Sequence, residues 1–116
     1  ALRARGAVMT NASGVFAEPC AQHALAMMLG LARQLPQATR DQLEKRSWNY
    51  LPLRRASYLL GPKQRVLLVG YGAIARRLVE LLTPFRVEIV AFRRSVRGDE
   101  NVTTLPIATI DEHLGT

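Results

Sequence analysis

The stretch RVLLVGYGAIA (65–75) decides the fold. Residues 65–69 form a short apolar run of the kind found in strands buried on both faces. A glycine turn (70–72) follows at once, and residues 73–83 then carry apolar side chains at helical spacing. Residues 87–92 form a second predicted strand. Strand, turn, helix and strand within about 30 residues make a βαβ unit, which predicts a parallel sheet.

The spacing of small residues in this turn, Gly70-x-Gly72-x-x-Ala75, points to phosphate binding. Gly70 permits a tight turn, Gly72 lets the backbone approach a pyrophosphate, and Ala75 keeps the helix close to the strand. Amides at a helix start face such phosphates, where the helix dipole favours negative charge. The candidate dinucleotide-binding residues here are Gly70, Tyr71, Gly72, Ala73 and Ile74. The alternative is a tight turn without a ligand.

The end of the second strand bears on the choice of cofactor. An acidic residue there would bind the adenosine ribose hydroxyls of NAD(H). This chain has Arg93, Arg94 and Ser95 instead, and no acid before Asp99. Guanidinium groups pair with a 2′-phosphate. We therefore favour NADP(H), with NAD(H) as the alternative, although one of the two arginines could simply be solvated.

Helical periodicity is present in two segments of the chain. The apolar spacing of Ala21, Leu25, Met28 and Ala32, with Ala24 and Leu31 beside them, predicts a helix near residues 19–35. Its apolar face indicates either core packing or an interface. The predicted face of the helix over 73–83 comprises Ile74, Leu78, Leu81 and Leu82.

The remaining segments carry weaker signals. Residues 6–14 start strand-like, residues 37–46 are compatible with a helix, and residues 47–60 form an irregular connector. Residues 102–105 are expected to form a short strand. Thr109 and Glu112 have the spacing of a capping box, which predicts a further helix start.

Composition narrows the function classes. The net charge of +7 permits a nucleic-acid binder, but the arginines are dispersed and aromatics make up 6%, so we predict no nucleic-acid partner. No apolar stretch approaches the roughly 20 residues of a membrane span. The single cysteine, Cys20, can form no internal disulfide, which favours a cytoplasmic location. No metal-ligand spacing is present.

Two linked motifs, TNASGVFAEPCAQHALAMMLGLARQLP (10–36) and VLLVGYGAIARRLVELLTPF (66–85), resemble the D-isomer-specific 2-hydroxyacid dehydrogenase family. The likeness spans roughly residues 7–112 and includes Trp48. It implies an α/β fold, a partial Rossmann-type doubly wound parallel sheet preceded by a long interdomain helix. Residues 1–60 would comprise the end of a substrate domain, that helix and a connector. Residues 61–116 would form the first part of an incomplete dinucleotide-binding domain.

The resemblance also implies hydride transfer between a nicotinamide and a 2-hydroxy or 2-keto acid. The family's catalytic Arg, Glu and His would lie beyond the point matching Thr116, so we assign no catalytic residue and expect this segment alone to be inactive. Gln22 departs from the family's usual Glu, and His23 and Cys20 are interpreted as structural.

The resemblance places residues 10–15 near the nicotinamide and the helix near 19–35 in a homodimer interface. The alternative function is a non-catalytic module that binds or senses a dinucleotide.

Overall fold

The structure, a computed structural model, describes residues 5–8, 10–12 and 14–115. Its helices are α1 (Ala17–Ala32), α2 (Leu35–Lys45), α3 (Tyr50–Ala56) and α4 (Ala73–Leu82), and its strands are β1 (Arg65–Val69), β2 (Glu88–Arg93) and β3 (Thr103–Pro106). Two 3₁₀ helices cover Thr83–Phe85 and Ile107–His113. No helix in these ranges is long and apolar enough to cross a membrane.

The three strands form one parallel sheet in the order β1-β2-β3. Arg65 pairs with Glu88 at the start of β1, and Val90 pairs with Thr103 at the start of β3. Helix α4 is the crossover between β1 and β2, as the predicted βαβ unit requires. The predicted α/β class and partial Rossmann-type sheet are therefore confirmed.

Helix α4 supplies much of the core with one apolar face. Leu78 and Leu82 are buried as predicted, at 7% and 0% exposure, and Leu81 is half-buried. Val79, which was not predicted, is also buried. Ile74, the first residue of this predicted face, is not buried, because it lies in the first turn beside an open groove and is 45% exposed.

Helix α1 packs chiefly against α4. Ala21 and Ala32 are fully buried, and Ala24, Leu25 and Met28 are half-buried against the core. This face therefore packs within the chain. The expectation that Leu31 belongs to it is wrong, since Leu31 is 60% exposed.

The predicted single helix to about residue 35 is interrupted. Helix α1 ends at Ala32, Gln34 adopts the left-handed conformation with φ of 57°, and α2 begins at Leu35. Pro36 lies in the first turn of α2, where its missing N–H costs no hydrogen bond. The chain thus starts a new helix where Pro36 would have broken the old one.

The connector is more ordered than predicted, because α3 forms within residues 47–60. The buried Asp41 carboxylate of α2 accepts hydrogen bonds from Asn49 Nδ2 at 2.9 Å, Gln37 Nε2 at 3.0 Å and Lys45 Nζ at 3.3 Å. The bond from Asn49 is the main cause of a lowered Asp41 pKa. This carboxylate joins α2 to the start of α3, where Leu53 is buried.

Two predictions at the ends of the chain need correction. No strand forms in 5–8, 10–12 or 14–16, where Val8 is 87% exposed, while Met9 and Ser13 of the expected strand-like segment lie outside the described residues. The capping box at Thr109 is also wrong. Pro106 occupies the N-cap position of the 3₁₀ helix without a side-chain cap, and the Thr109 hydroxyl donates to the Pro106 carbonyl at 2.9 Å because Thr109 lies inside the turn.

Candidate functional site

The glycine turn joins the end of β1 to the start of α4. Gly70 has φ of +100°, a conformation that favours glycine, and its amide donates to the Phe92 carbonyl at 2.7 Å. Gly72 is the N-cap of α4, with extended backbone and no side-chain cap. A Cβ atom at Gly72 would meet no protein atom within 4 Å. The helix start therefore opens onto free space, where a phosphate could approach the backbone.

Two grooves meet at this turn. One, of about 550 Å³, is lined by Gly70, Tyr71 and Gly72 on one side and by Arg93, Arg94, Ser95 and Arg97 on the other. The second, of about 650 Å³, is lined by Ala73 and Ile74 together with Phe16 and Leu67. Gly70 and Gly72 line both grooves. The eight predicted binding residues thus lie around one turn, but in two adjoining grooves.

The side chain of Tyr71 is buried and held by its neighbours. It is 4% exposed, its hydroxyl is hydrogen-bonded to Asn101 Oδ1, and the Arg76 guanidinium lies 4.8 Å from the centre of its ring. Arg76 in turn pairs with Asp99 at 2.9 Å. Tyr71 therefore fastens the glycine turn to the loop between β2 and β3, and only its backbone is available to a phosphate.

The two adjacent arginines occupy different environments. The Arg93 side chain is 15% exposed and pairs with Glu100 at 2.5 Å, with Asp99 also within 3.8 Å. Arg94 and Ser95 are exposed at the edge of the groove. Among the described residues, no carboxylate pairs with Arg94. Arg94 is therefore better placed than Arg93 to receive an anionic ligand.

Glu100 was missed by sequence reasoning, as was Arg97. The Glu100 side chain is 3% exposed and accepts hydrogen bonds from the amides of Arg97 at 3.0 Å and Gly98 at 2.7 Å. The Arg97 amide bond, followed by the Arg93 side chain, lowers the pKa of Glu100 to about 2. The feature of the sequence that could have indicated Glu100 is Gly98. Its φ of +78° marks the turn that brings Glu100 back towards β2.

An ion pair secures α1 beside the start of α4. Arg77 contacts Glu18 at 2.5 Å and Glu80 at 2.6 Å, and Gln22 donates to Glu18. Arg77 lowers the Glu18 pKa, and Glu18 raises that of Arg77. Gln22 therefore supports this pair.

Neither groove is lined by Cys20, His23 or His113. Cys20 and His23 are exposed on α1, and the His113 ring contacts Phe92 with centroids 5.4 Å apart. Within the described part of the chain, no group of His, Cys, Asp or Glu is arranged to hold a metal ion.

Comparison with known proteins adds independent information. The family model "D-isomer specific 2-hydroxyacid dehydrogenase, NAD binding domain" matches residues 25–116. An NADPH-dependent glyoxylate/hydroxypyruvate reductase from Sinorhizobium meliloti, in complex with citrate, is 31% identical over 90% of this chain, with a TM-score of 0.65.

Two further structures share the fold. A phosphoglycerate oxidoreductase from Rhizobium etli is 24% identical over 94% of this chain, with a TM-score of 0.77. An NAD-dependent formate dehydrogenase from Staphylococcus aureus in complex with NAD is 21% identical over 84%, with a TM-score of 0.71. The chain spans 33%, 37% and 29% of the reductase, the oxidoreductase and the formate dehydrogenase, respectively.

Proposed function

Because the chain belongs to the D-isomer-specific 2-hydroxyacid dehydrogenase family, whose NAD-binding domain it matches, we propose that it is the cofactor-binding segment of a D-2-hydroxyacid dehydrogenase. The family's domain binds a nicotinamide dinucleotide, which accepts or donates the hydride. The observation that carries the proposal is the unfilled space at Gly72, where α4 presents its first amides to two adjoining grooves. The substrate would be a small 2-hydroxy or 2-keto acid.

Each groove takes one half of the dinucleotide in this proposal. The amides of residues 72–74 bind the pyrophosphate, with the positive end of the α4 dipole behind them. The groove beside Arg94 and Ser95 takes the adenosine half, and the groove beside Phe16 takes the nicotinamide half. The cofactor therefore crosses the sheet end at the glycine turn.

We further propose that NADP(H) is preferred to NAD(H). Selection of NAD(H) requires a carboxylate that is free to bind the ribose hydroxyls. Here Asp99 is paired with Arg76, and Glu100 is paired with Arg93. Arg94 and Ser95 instead offer a guanidinium and a hydroxyl at the groove edge. The structural relatives include both an NADPH-dependent and an NAD-dependent enzyme.

The test is calorimetric titration of the full-length protein with 2′-phospho-ADP-ribose and with ADP-ribose. Wild type should bind the phosphorylated ligand more tightly. Arg94→Gln should weaken that binding about tenfold to 100-fold and leave ADP-ribose binding unchanged, since a charged hydrogen bond contributes about 1.5–3 kcal/mol. Arg55→Gln, an exposed arginine of α3, is the matched control.

The outcomes separate the parts of this proposal. Equal wild-type affinity for both ligands would remove the NADP(H) preference and keep the dinucleotide site. Failure of the folded protein to bind either ligand would overturn the site itself.

The remaining parts of the proposal concern the whole enzyme. Neither histidine lines the two grooves, so residues 1–116 alone would bind cofactor without turning over substrate. We assign residues 1–60 to the end of the substrate domain, the interdomain helix and the connector, and 61–116 to the dinucleotide domain.

The outer face of α1, with Met27 and Leu31 exposed, is proposed to meet a second subunit. The location is proposed to be cytoplasmic, since Cys20 is a free thiol.

A further inference from the structure

The loop after β2 carries a second determinant of cofactor choice. We propose that Arg97 is a second phosphate-binding guanidinium for the 2′-phosphate, and that Glu100 is a positioning residue that holds Arg97 and leaves Arg94 free. This inference rests on the proposed NADP(H) site and adds two residues to it. Its experiment is therefore designed to separate its failure from failure of the cofactor assignment.

Glu100 shapes the loop with both carboxylate oxygens. Oε1 accepts hydrogen bonds from the Arg93 guanidinium at 2.5 Å and the Arg97 amide at 3.0 Å, and Oε2 accepts from the Gly98 amide at 2.7 Å. The side chain that makes these bonds is almost fully buried. A carboxylate is buried at high cost unless it is paired and hydrogen-bonded, and here both conditions are met. The backbone of Arg97 is thereby fixed at the groove edge.

The ion pairs of this region involve two of its arginines and leave two others without a carboxylate partner. Asp99 pairs with Arg76 at 2.9 Å, and Glu100 pairs with Arg93 at 2.5 Å. Arg94 and Arg97 are exposed, and no carboxylate in the described part of the chain pairs with either. Both line the groove that also contains Ser95. Two guanidinium groups without counter-charges therefore face one cavity.

A phosphate monoester is the ligand that matches this arrangement. It carries a charge of about −1.5 to −2 near neutral pH and offers several strong acceptor oxygens. Two guanidinium groups and a hydroxyl can neutralise and hydrogen-bond such a group. ADP-ribose lacks this phosphate, so it gains little from Arg97. Arg97 should therefore act on the preference between the two ligands and not on dinucleotide affinity as a whole.

The role of Glu100 follows from what it restrains. Its ion pair with Arg93 neutralises that guanidinium at the groove, and its hydrogen bonds to the two amides order the backbone that carries Arg97. Binding to a pre-ordered loop costs less conformational entropy than binding to one that must be ordered by the ligand. If Glu100 only stabilised the fold, its removal would weaken the binding of both ligands to the same extent.

The experiment compares Arg97→Gln, Glu100→Gln and the control Arg55→Gln in the full-length protein. Affinities for 2′-phospho-ADP-ribose and ADP-ribose are measured by calorimetry, with circular dichroism to confirm folding. Arg97→Gln should weaken binding of the phosphorylated ligand about tenfold and should change the affinity for ADP-ribose less than about twofold. Glu100→Gln should reduce the ratio of the two affinities in the same direction. Arg55→Gln should behave as wild type.

Each outcome decides between the hypotheses. A wild type without preference would overturn the NADP(H) assignment on which this inference rests. A wild type with preference, retained in Arg97→Gln, would overturn the role of Arg97. If Glu100→Gln weakened the binding of both ligands equally, Glu100 would have only a structural role. Should Glu100→Gln fail to fold, Glu100→Asp keeps the charge on a shorter side chain and should give an intermediate ratio.

Discussion

Arg93 and Arg94 are neighbours in sequence, yet they lie in different environments. Successive side chains of a strand point to opposite faces, so the sequence left open that one of the two is simply solvated. Both line the groove, and the sequence could not show which one would lack a paired carboxylate, because that depends on Glu100, which returns to β2 through the turn at Gly98. The glycine spacing, by contrast, located the turn directly, because the Gly70 conformation is a local requirement.

The paired Glu100 should make stability depend on acidity. Its folded pKa is lowered from 4.5 to about 2, so the folded state holds fewer protons than the unfolded state between these values. The stabilisation is therefore present above pH 4.5 and is lost as the pH falls towards about 2. We expect the difference in unfolding free energy between wild type and Glu100→Gln to shrink across this window, measured by urea denaturation. A difference independent of pH would contradict this assignment.

Among the secondary-structure elements, those with strong periodicity were predicted well. β1, α4 and β2 lie within a residue of the sequence boundaries, because each carries a clear apolar pattern in the sequence. Helix α3 was missed because it is short, contains Pro52 and has no clear period. What supports it is tertiary, namely the burial of Leu53 and the Asn49 bond to Asp41. Such support has no signature within the segment itself.

Substitution of the two glycines of the β1–α4 turn should affect different properties, stability at Gly70 and ligand binding at Gly72. Gly70→Ala should cost about 1–3 kcal/mol of unfolding free energy, because a positive φ strains any residue with a Cβ. Gly72→Ser should change it by less than about 0.5 kcal/mol, since the backbone is extended and Ser is a preferred N-cap. The same change should weaken dinucleotide binding about tenfold, because the new side chain fills the phosphate space.

Denaturant unfolding and calorimetry on both variants check this contrast. A Gly72→Ser protein with wild-type affinity would show that the phosphate does not approach the backbone here.

For the molecule as a whole, the contact between α1 and α4 joins the N-terminal helix to the sheet. The radius of gyration is 19.3 Å and the longest extent is 66 Å, whereas a compact domain of 100 residues has a radius of about 13 Å. Helix α2 packs chiefly against α1. The chain is therefore elongated, and Ala21, with no exposed surface, lies in the cluster that links α1 to Leu78 and Leu82.

Enlarging a side chain in this contact should separate α1 from α4. Ala21→Leu should lower the unfolding free energy by about 1–3 kcal/mol, because the site has no room for added methylene groups. Ala26→Leu, an exposed position on the same helix, should change it by less than about 0.5 kcal/mol. Chemical denaturation of both variants measures the contrast. Equal effects at the two positions would argue against tight packing at Ala21.

The parallel pairing of all three strands has a consequence for the order of folding. Neither pairing can close through a hairpin, because Arg65 must find Glu88 across α4 and Val90 must find Thr103 across a loop. The second loop is shorter, but the entropic advantage of its closure is only about 0.5 kcal/mol, since this cost grows slowly with length. The first pairing buries the apolar face of α4 as it forms. We therefore expect the transition state for folding to contain β1, α4 and β2, and we expect β3 to pair with β2 only after it.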